Sequence, residues 1–171
     1  MKDEPQRFTI RLARTEDADV INEIYNHYVC HSTCSFQTDP STHDERLRWL
    51  EAHGEGHPVL VAETAGGEVL GWASVSPYHT RCAYRFTVED SIYIRNGLHG
   101  RGVGSALLAA LVARCERAGH HSIIAMIAAD QPASLALHRK FAFAEVAHLR
   151  EVGYKFDRWI DVVFMQRMLA K

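Results

Sequence analysis

Ile92-Tyr93-Ile94-Arg95-Asn96-Gly97-Leu98-His99-Gly100-Arg101-Gly102-Val103-Gly104-Ser105 reads as a strand that passes through a glycine-rich turn into a helix. The helix is marked by Val103, Leu107, Leu111 and Cys115 at helical spacing, and it ends near Gly119. A turn without Cβ atoms lets backbone N–H groups approach a phosphate, and the helix behind it adds its positive end. A phosphate or pyrophosphate suits such a turn, and a glycine turn that holds nothing is the plainer alternative.

Two phosphate-binding patterns fit badly. From Gly97 the P-loop spacing reaches Gly102, but Val103 stands where the lysine must be. A G-x-G-x-x-G frame begun at Gly100 meets Ser105 in its third place, and one begun at Gly102 meets Leu107. Asp130 resembles a ribose-binding acid, but its spacing is long and the turn begins beyond the strand's tip.

Working outward, Phe8–Ala13 reads as a strand, and Thr15 as the N-cap of a helix carrying Ile21, Ile24, Tyr25, Tyr28 and Val29. Thr42-His43-Asp44-Glu45 fits a capping box, opening a helix that should bury Leu47, Trp49 and Leu50. Pro58–Glu63 and Glu68–Ser76 form a hairpin about Ala65-Gly66-Gly67, and a polar, aromatic loop at His79–Phe86 precedes a strand at Thr87–Ile94. Ser122–Ala128 is predicted to be a strand buried on both faces, Ser134–Phe141 a helix, and Glu145–Leu149 and Trp159–Met168 the closing strands. The pattern is that of a mixed α/β domain with helices about one central sheet.

The 171 residues suffice for one sizeable core, and 47% apolar with 23% charged residues excludes a disordered chain or a small disulfide scaffold. A net charge of -2 argues against nucleic acid as a partner. No apolar run nears the ~20 residues of a membrane span, and MKDEPQRF has no signal core, so a cytoplasmic protein off the membrane is expected. Cys30, Cys34, Cys82 and Cys115 form no C-x-x-C pair, and reduced thiols are expected. His27, Cys30, His31 and Cys34 share one helical face, but ligands in line along a helix do not enclose a tetrahedral ion, so no metal is expected.

His99-Gly100-Arg101-Gly102-Val103-Gly104 resembles the coenzyme A loop, Q/R-x-x-G-x-G/A, of the GNAT acetyltransferase superfamily, with His99 in the Gln/Arg place. Gln131-Pro132-Ala133-Ser134-Leu135-Ala136-Leu137-His138-Arg139-Lys140-Phe141-Ala142-Phe143 resembles that superfamily's N-x-x-S-x-x-x-Y/H-x-x-x-G-F segment, with Gln131 for Asn and Ala142 for Gly. From Thr9 to Leu169 the chain is similar to the phosphinothricin N-acetyltransferase family. Ile24-Tyr25-Asn26, Ser35-Phe36-Gln37-Thr38-Asp39-Pro40, Arg81-Cys82-Ala83-Tyr84, Thr87-Val88-Glu89-Asp90-Ser91, Arg150–Phe156 and Arg158–Val162 carry that likeness.

The resemblance implies a GNAT fold, one domain over 1–171 with its core at about 8–169, and acetyl-CoA as co-substrate. It implies acetyl transfer to the α-amine of phosphinothricin, methionine sulfone or methionine sulfoximine, and pairing as a homodimer. Residues implied for the cofactor are Ile92, Tyr93, Ile94, His99, Gly100, Arg101, Gly102, Val103, Gly104, Ser105, Gln131 and Ser134.

Such an amine is mostly ammonium near neutrality and must lose a proton before attacking a thioester. Glu89, the family's carboxylate at this place, is the expected general base, with Asp90 as the neighbouring alternative. His138 either assists proton removal, protonates the leaving thiolate or is structural. A backbone N–H on Ile92–Ile94 is expected to meet the oxyanion. Arg81 and Tyr84 are expected to hold the acceptor's anion, with Arg85 and Lys155 as further cations, and Phe36 to wall the pocket. Cys115 reads as core, which favours direct attack in a ternary complex. A non-catalytic acetyl-CoA sensor or scaffold is the competing reading, with a dinucleotide oxidoreductase a distant third.

Overall fold

The computed structural model describes residues 7–169. Its elements are β1 (Phe8–Leu12), α1 (Ala18–His31), α2 (His43–Glu51), β2 (Val59–Thr64), β3 (Val69–Pro77), β4 (Thr87–Ile94), α3 (Val103–Arg117), β5 (Ser122–Ala128), α4 (Pro132–Lys140), β6 (Ala144–Lys155) and β7 (Arg158–Met168). The strands make one sheet in the order β1-β2-β3-β4-β5-β7-β6. Only β4 and β5 run parallel among neighbours, so the sheet is mixed, as expected.

Strand alternation divides the core between the two faces. Leu60 and Ala62 of β2 pack with Leu107, Leu108 and Leu111 of α3, while Val59 and Val61 pack with Ile21, Ile24 and Tyr28 of α1. Between Ala62 and Glu63 the register shifts: Ala62 pairs with Gly71 and Glu63 with Val69, leaving Leu70 as the extra residue of a bulge in β3. From there on Trp72, Ser74 and Ser76 share the α1 side, opposite Tyr93, Ser91 and Glu89 of β4.

The parallel pairing of β4 and β5 is short. It consists of Thr87 with Ser122, Val88 with Ile123 and Glu89 with Ile124, after which the strands part. This parting corrects the expectation that β5 is buried on both faces. Met126 is 46% exposed because its neighbour on that side has left.

Other local departures have local causes. Thr15 does not cap α1; a 3-10 turn at Thr15–Asp17 comes first, and Asp17 Oδ2 accepts the Arg14 N–H at 2.7 Å. The capping box of α2 forms as read, with Thr42 N–H donating to Glu45 Oε2 at 2.8 Å. On that helix, however, Arg46 is the buried residue, and Leu47, Trp49 and Leu50 are only half-buried. α4 begins earlier than predicted, with Pro132 in its first turn.

β6 runs well past Leu149. An irregularity between Leu149 and Gly153 is held where Glu151, at φ +53°, donates its N–H to Asp161 Oδ1 at 2.8 Å. The β6–β7 turn uses Phe156 (φ +53°) and Asp157 (φ +56°), a left-handed pair without glycine.

Candidate active site

Glu89 occupies the last paired rung before β4 and β5 separate, so beyond it the edge of β4 that faced β5 has no strand partner. The wedge opens into a cavity of about 990 Å³, with walls from β4, β5, the glycine turn and α4. Ile92, Tyr93 and Ile94 line one side and Ala125 to Ala128 the other.

At the mouth, Gly97, Gly100 and Gly102 take φ values of +82°, +77° and +83°, a region that disfavours any side chain. A Cβ at Gly100 or Gly102 would meet no atom within 4 Å, so the backbone of the turn stands open. Gly104 is different, since a Cβ there would come within 3.3 Å of Leu137 Cδ2, and its role is close packing of α3 on α4. Ala106 is the first residue of α3 to bond back, to Gly102 O at 3.0 Å, leaving the N–H groups of Val103, Gly104 and Ser105 as end donors. Lys140 Nζ donates to Ser105 Oγ at 3.4 Å and brings a cation to the same end. These groups fit the pyrophosphate of coenzyme A.

The predicted cofactor residues line this cavity apart from Arg101, which is exposed. His99 is tied inward: its Nε2 meets Tyr28 Oη at 2.7 Å, and that hydroxyl donates to Ile94 O at 2.5 Å. Because the Tyr28 proton goes to Ile94, His99 supplies the other from Nε2. Gln131 Nε2 donates to Thr33 Oγ1 at 2.7 Å while its Oε1 accepts from Cys34 Sγ at 3.1 Å.

The Glu89 carboxyl lies above its usual range, first through burial and then through the charge of Asp90. Asp90 points to the other face, where its Oδ2 lies 3.0 Å from His138 Nε2. His138 Nδ1 donates to Ser134 O at 2.8 Å. Burial alone would lower the His138 pKa, but the hydrogen bond and charge of Asp90, with the Ser134 carbonyl, raise it. Both ring nitrogens are therefore engaged within the fold, Nδ1 by the Ser134 carbonyl and Nε2 by the Asp90 carboxyl. Asp90 Oδ1 has no partner among the described residues. Cys115 is fully buried, and burial followed by the charges of Asp90 and Glu116 pushes its thiol up to about 12.

On the acceptor side, Phe36 lines the cavity and lies against Gly153, where a Cβ would fall 2.4 Å from Phe36 Cε2. Arg81 and Tyr84 lie at the 3-10 turn before β4, exposed and off the cavity wall, with the Tyr84 ring 5.1 Å from that of His79. Arg85 covers the Phe86 ring at 4.4 Å. Lys155 is no acceptor cation: its Nζ donates to Ser35 O at 2.6 Å, Ser32 O at 2.8 Å and Tyr28 O at 3.5 Å, fastening the C-terminal end of α1. His27 and His31 stack at 4.9 Å, whereas Cys34 lies beyond the helix and turns to Gln131.

Residues 10–164 match the family described as Acetyltransferase (GNAT) domain. The chain belongs to the GNAT acetyltransferase family. It is 44% identical over 163 residues to a phosphinothricin N-acetyltransferase of Alcaligenes faecalis, covering 94% of this chain and 82% of that protein. An L-methionine sulfoximine/L-methionine sulfone acetyltransferase of Salmonella typhimurium is 40% identical, covering 94% of each. Among solved structures, a GNAT phosphinothricin acetyltransferase from Sinorhizobium meliloti in complex with acetyl-CoA superposes with a TM-score of 0.91 at 40% identity, covering 95% of this chain and 89% of that one.

Within this GNAT frame, two features escaped the sequence reading. One is the Asp90–His138 pair, which depends on two segments meeting across the sheet and the helix. The other is a smaller cavity of about 390 Å³ under α2, where Arg46 faces Ser74, Ser76 and Ser91. Its only trace in the sequence is the alternation of Trp72, Ser74 and Ser76, which places serines on one face of an otherwise apolar strand.

Proposed function

We propose that this GNAT enzyme moves the acetyl group of acetyl-CoA to the α-amine of a small amino acid with an oxygen-bearing side-chain head, phosphinothricin or methionine sulfone or sulfoximine, in a ternary complex. The observation that carries the reading is Glu89 at the fork between β4 and β5, half-buried, with its carboxyl raised toward the working range of a base. The relatives' printed substrates support the acceptor class. Acetyl-CoA supplies the thioester. Glu89 takes a proton from the acceptor ammonium, and the freed nitrogen forms the new C–N bond. The oxygen of the acyl carbonyl gathers charge against a backbone N–H of Ile92–Ile94, the C–S bond breaks with its electron pair leaving on sulfur, and the second proton of the nitrogen passes to that thiolate, releasing CoA thiol and the neutral amide.

His138 acts as a positioning residue that neutralises Asp90 behind the fork. Phe36 walls the acceptor site, and Arg81 with Tyr84 receives the acceptor carboxylate from the turn before β4, at the end of the strand nearer Glu89. Residues 8–169 work as one domain. Two copies pair through the β6–β7 ribbon, where Val146, Val152, Tyr154 and Phe156 are exposed and Trp159 is 60% exposed. The enzyme works in the cytoplasm, where acetyl-CoA is made.

The test is CoA release, followed with a thiol reagent, on phosphinothricin, methionine sulfone, methionine sulfoximine, plain amino acids and a no-amine blank. Release that requires an oxygen-headed acceptor supports the reading. Thermal stabilisation by acetyl-CoA without release on any amine overturns it in favour of a sensor.

A further inference from the structure

The cavity of about 390 Å³ beneath α2 is lined by a buried cation, Arg46, that makes no salt bridge among the described residues. Arg46 is only 5% exposed, and its guanidinium lies 4.3 Å from the Tyr25 ring centre and 4.7 Å from that of Trp49. Its hydrogen bonds are two long ones to neutral oxygens, Asn22 Oδ1 at 3.3 Å and Ser41 Oγ at 3.4 Å. A guanidinium has five N–H donors, so most remain for a ligand. Arg11 shows how this chain treats an arginine it holds structurally: two carboxylates, Asp17 at 2.6 Å and Glu63 at 2.7 Å, grip it. No carboxylate grips Arg46 among the described residues. Glu45, at the cavity's rim, turns its carboxylate back onto the Thr42 N–H. A buried unpaired charge is costly to keep, so such a site suits an oxygen-bearing group that arrives and leaves.

The cavity also leads to the chemistry. It shares Tyr25, Gln37, Ser91 and Tyr93 with the cofactor cavity. Its floor is the row in which Ser74 pairs with Ser91 and Ser76 with Glu89, so Glu89 is one same-face step, about 7 Å, along the strand from Ser91. An amino acid whose amine meets Glu89 has its side-chain head a few bonds away, the length of that step.

We infer that Arg46, with the hydroxyls of Ser74 and Ser91, forms the subsite for the tetrahedral oxygenated head of the acceptor, and so sets the preference for oxygen-headed over apolar amino acids. This rests on the acetyl-transfer reading above for the placement of the amine. The subsite takes phosphinate, sulfone or sulfoximine oxygens, while the α-carboxylate stays outside it.

The experiment compares wild type, Arg46→Gln and Ser74→Ala on methionine sulfone and on methionine, which differ only in the sulfone oxygens. Arg46→Gln is expected to lower kcat/KM for the sulfone by about 10–100-fold, mainly through KM, while methionine changes little. Ser74→Ala shifts the same ratio in the same direction by a smaller factor, and it carries the test if Arg46→Gln does not fold. Equal losses on both acceptors, or an unchanged ratio in Ser74→Ala and any folded Arg46 variant, overturn the subsite.

A binding arm separates this inference from the reaction itself. Trp49 and Trp72 line the cavity, so methionine sulfone is titrated by tryptophan fluorescence in a Trp159→Phe background with CoA present. Arg46-dependent binding without any CoA release would fail the acetyl-transfer reading and retain the subsite. Release without Arg46-dependent binding would do the reverse.

Discussion

Glu89 faces Ile124 at the last rung of the only parallel pairing in the sheet, and the two strands diverge immediately beyond it. That rung sets the Glu89 carboxyl beside strand edge that no neighbouring strand pairs. One backbone event thus produces both the opening for a thioester and the partial burial that raises the Glu89 carboxyl.

The glycine turn is sensitive to backbone strain rather than to crowding. Gly102→Ala places a side chain at φ +83°, costing roughly 1–2 kcal/mol, although a Cβ meets nothing within 4 Å. The KM for acetyl-CoA is expected to rise about tenfold with the acceptor KM nearly unchanged, as read from steady-state CoA release.

His138 and Asp90 predict a pH dependence of stability. The folded-state pKa of His138 is raised, so the pair's contribution is fully present below the ordinary histidine value of about 6.5 and is lost as pH rises through the folded-state value. Thermal melts of the wild type should therefore fall on the alkaline side, and His138→Gln should flatten that decline. His138→Ala leaves Asp90 buried and unpaired, with an expected cost of about 3–5 kcal/mol in denaturant melts.

Lys155 holds three carbonyls at the end of α1 and the start of the Phe36 segment. Lys155→Met is expected to lose about 2 kcal/mol of stability by denaturant unfolding. Amide exchange should rise around Ser32 to Phe36 before it rises elsewhere.

Gly153 gives Phe36 its place. A Cβ at 153 overlaps Phe36 Cε2 at 2.4 Å, but that ring is partly exposed and can swing aside. Gly153→Ala should therefore change the acceptor KM several-fold, about the effect of a displaced apolar wall, with a much smaller change in melting temperature.

What the sequence displays is governed by local rules. The glycine turn, the Thr42 capping box, the Gly67 hairpin and the buried stripe with Cys115 each follow from spacing within a few residues. What it hides is set by distant partners. The Asp90–His138 pair joins a strand to a helix 48 residues on, and the fate of Lys155 depends on the end of a helix 123 residues back along the chain. At the site, the residue types of the cofactor turn announce themselves, whereas Arg46 looks like any helical arginine until the sheet places Trp72 and Ser74 beneath it.

The most direct measurement is the pH–rate profile of CoA release for the wild type and Glu89→Gln with a saturating oxygen-headed amino acid. The account predicts that wild-type activity rises with pH through a value above that of an ordinary glutamate. Glu89→Gln should lose both this limb and about 10²–10⁴ of the rate, while acetyl-CoA still raises its melting temperature. Glu89→Gln that keeps wild-type rate and profile would contradict it.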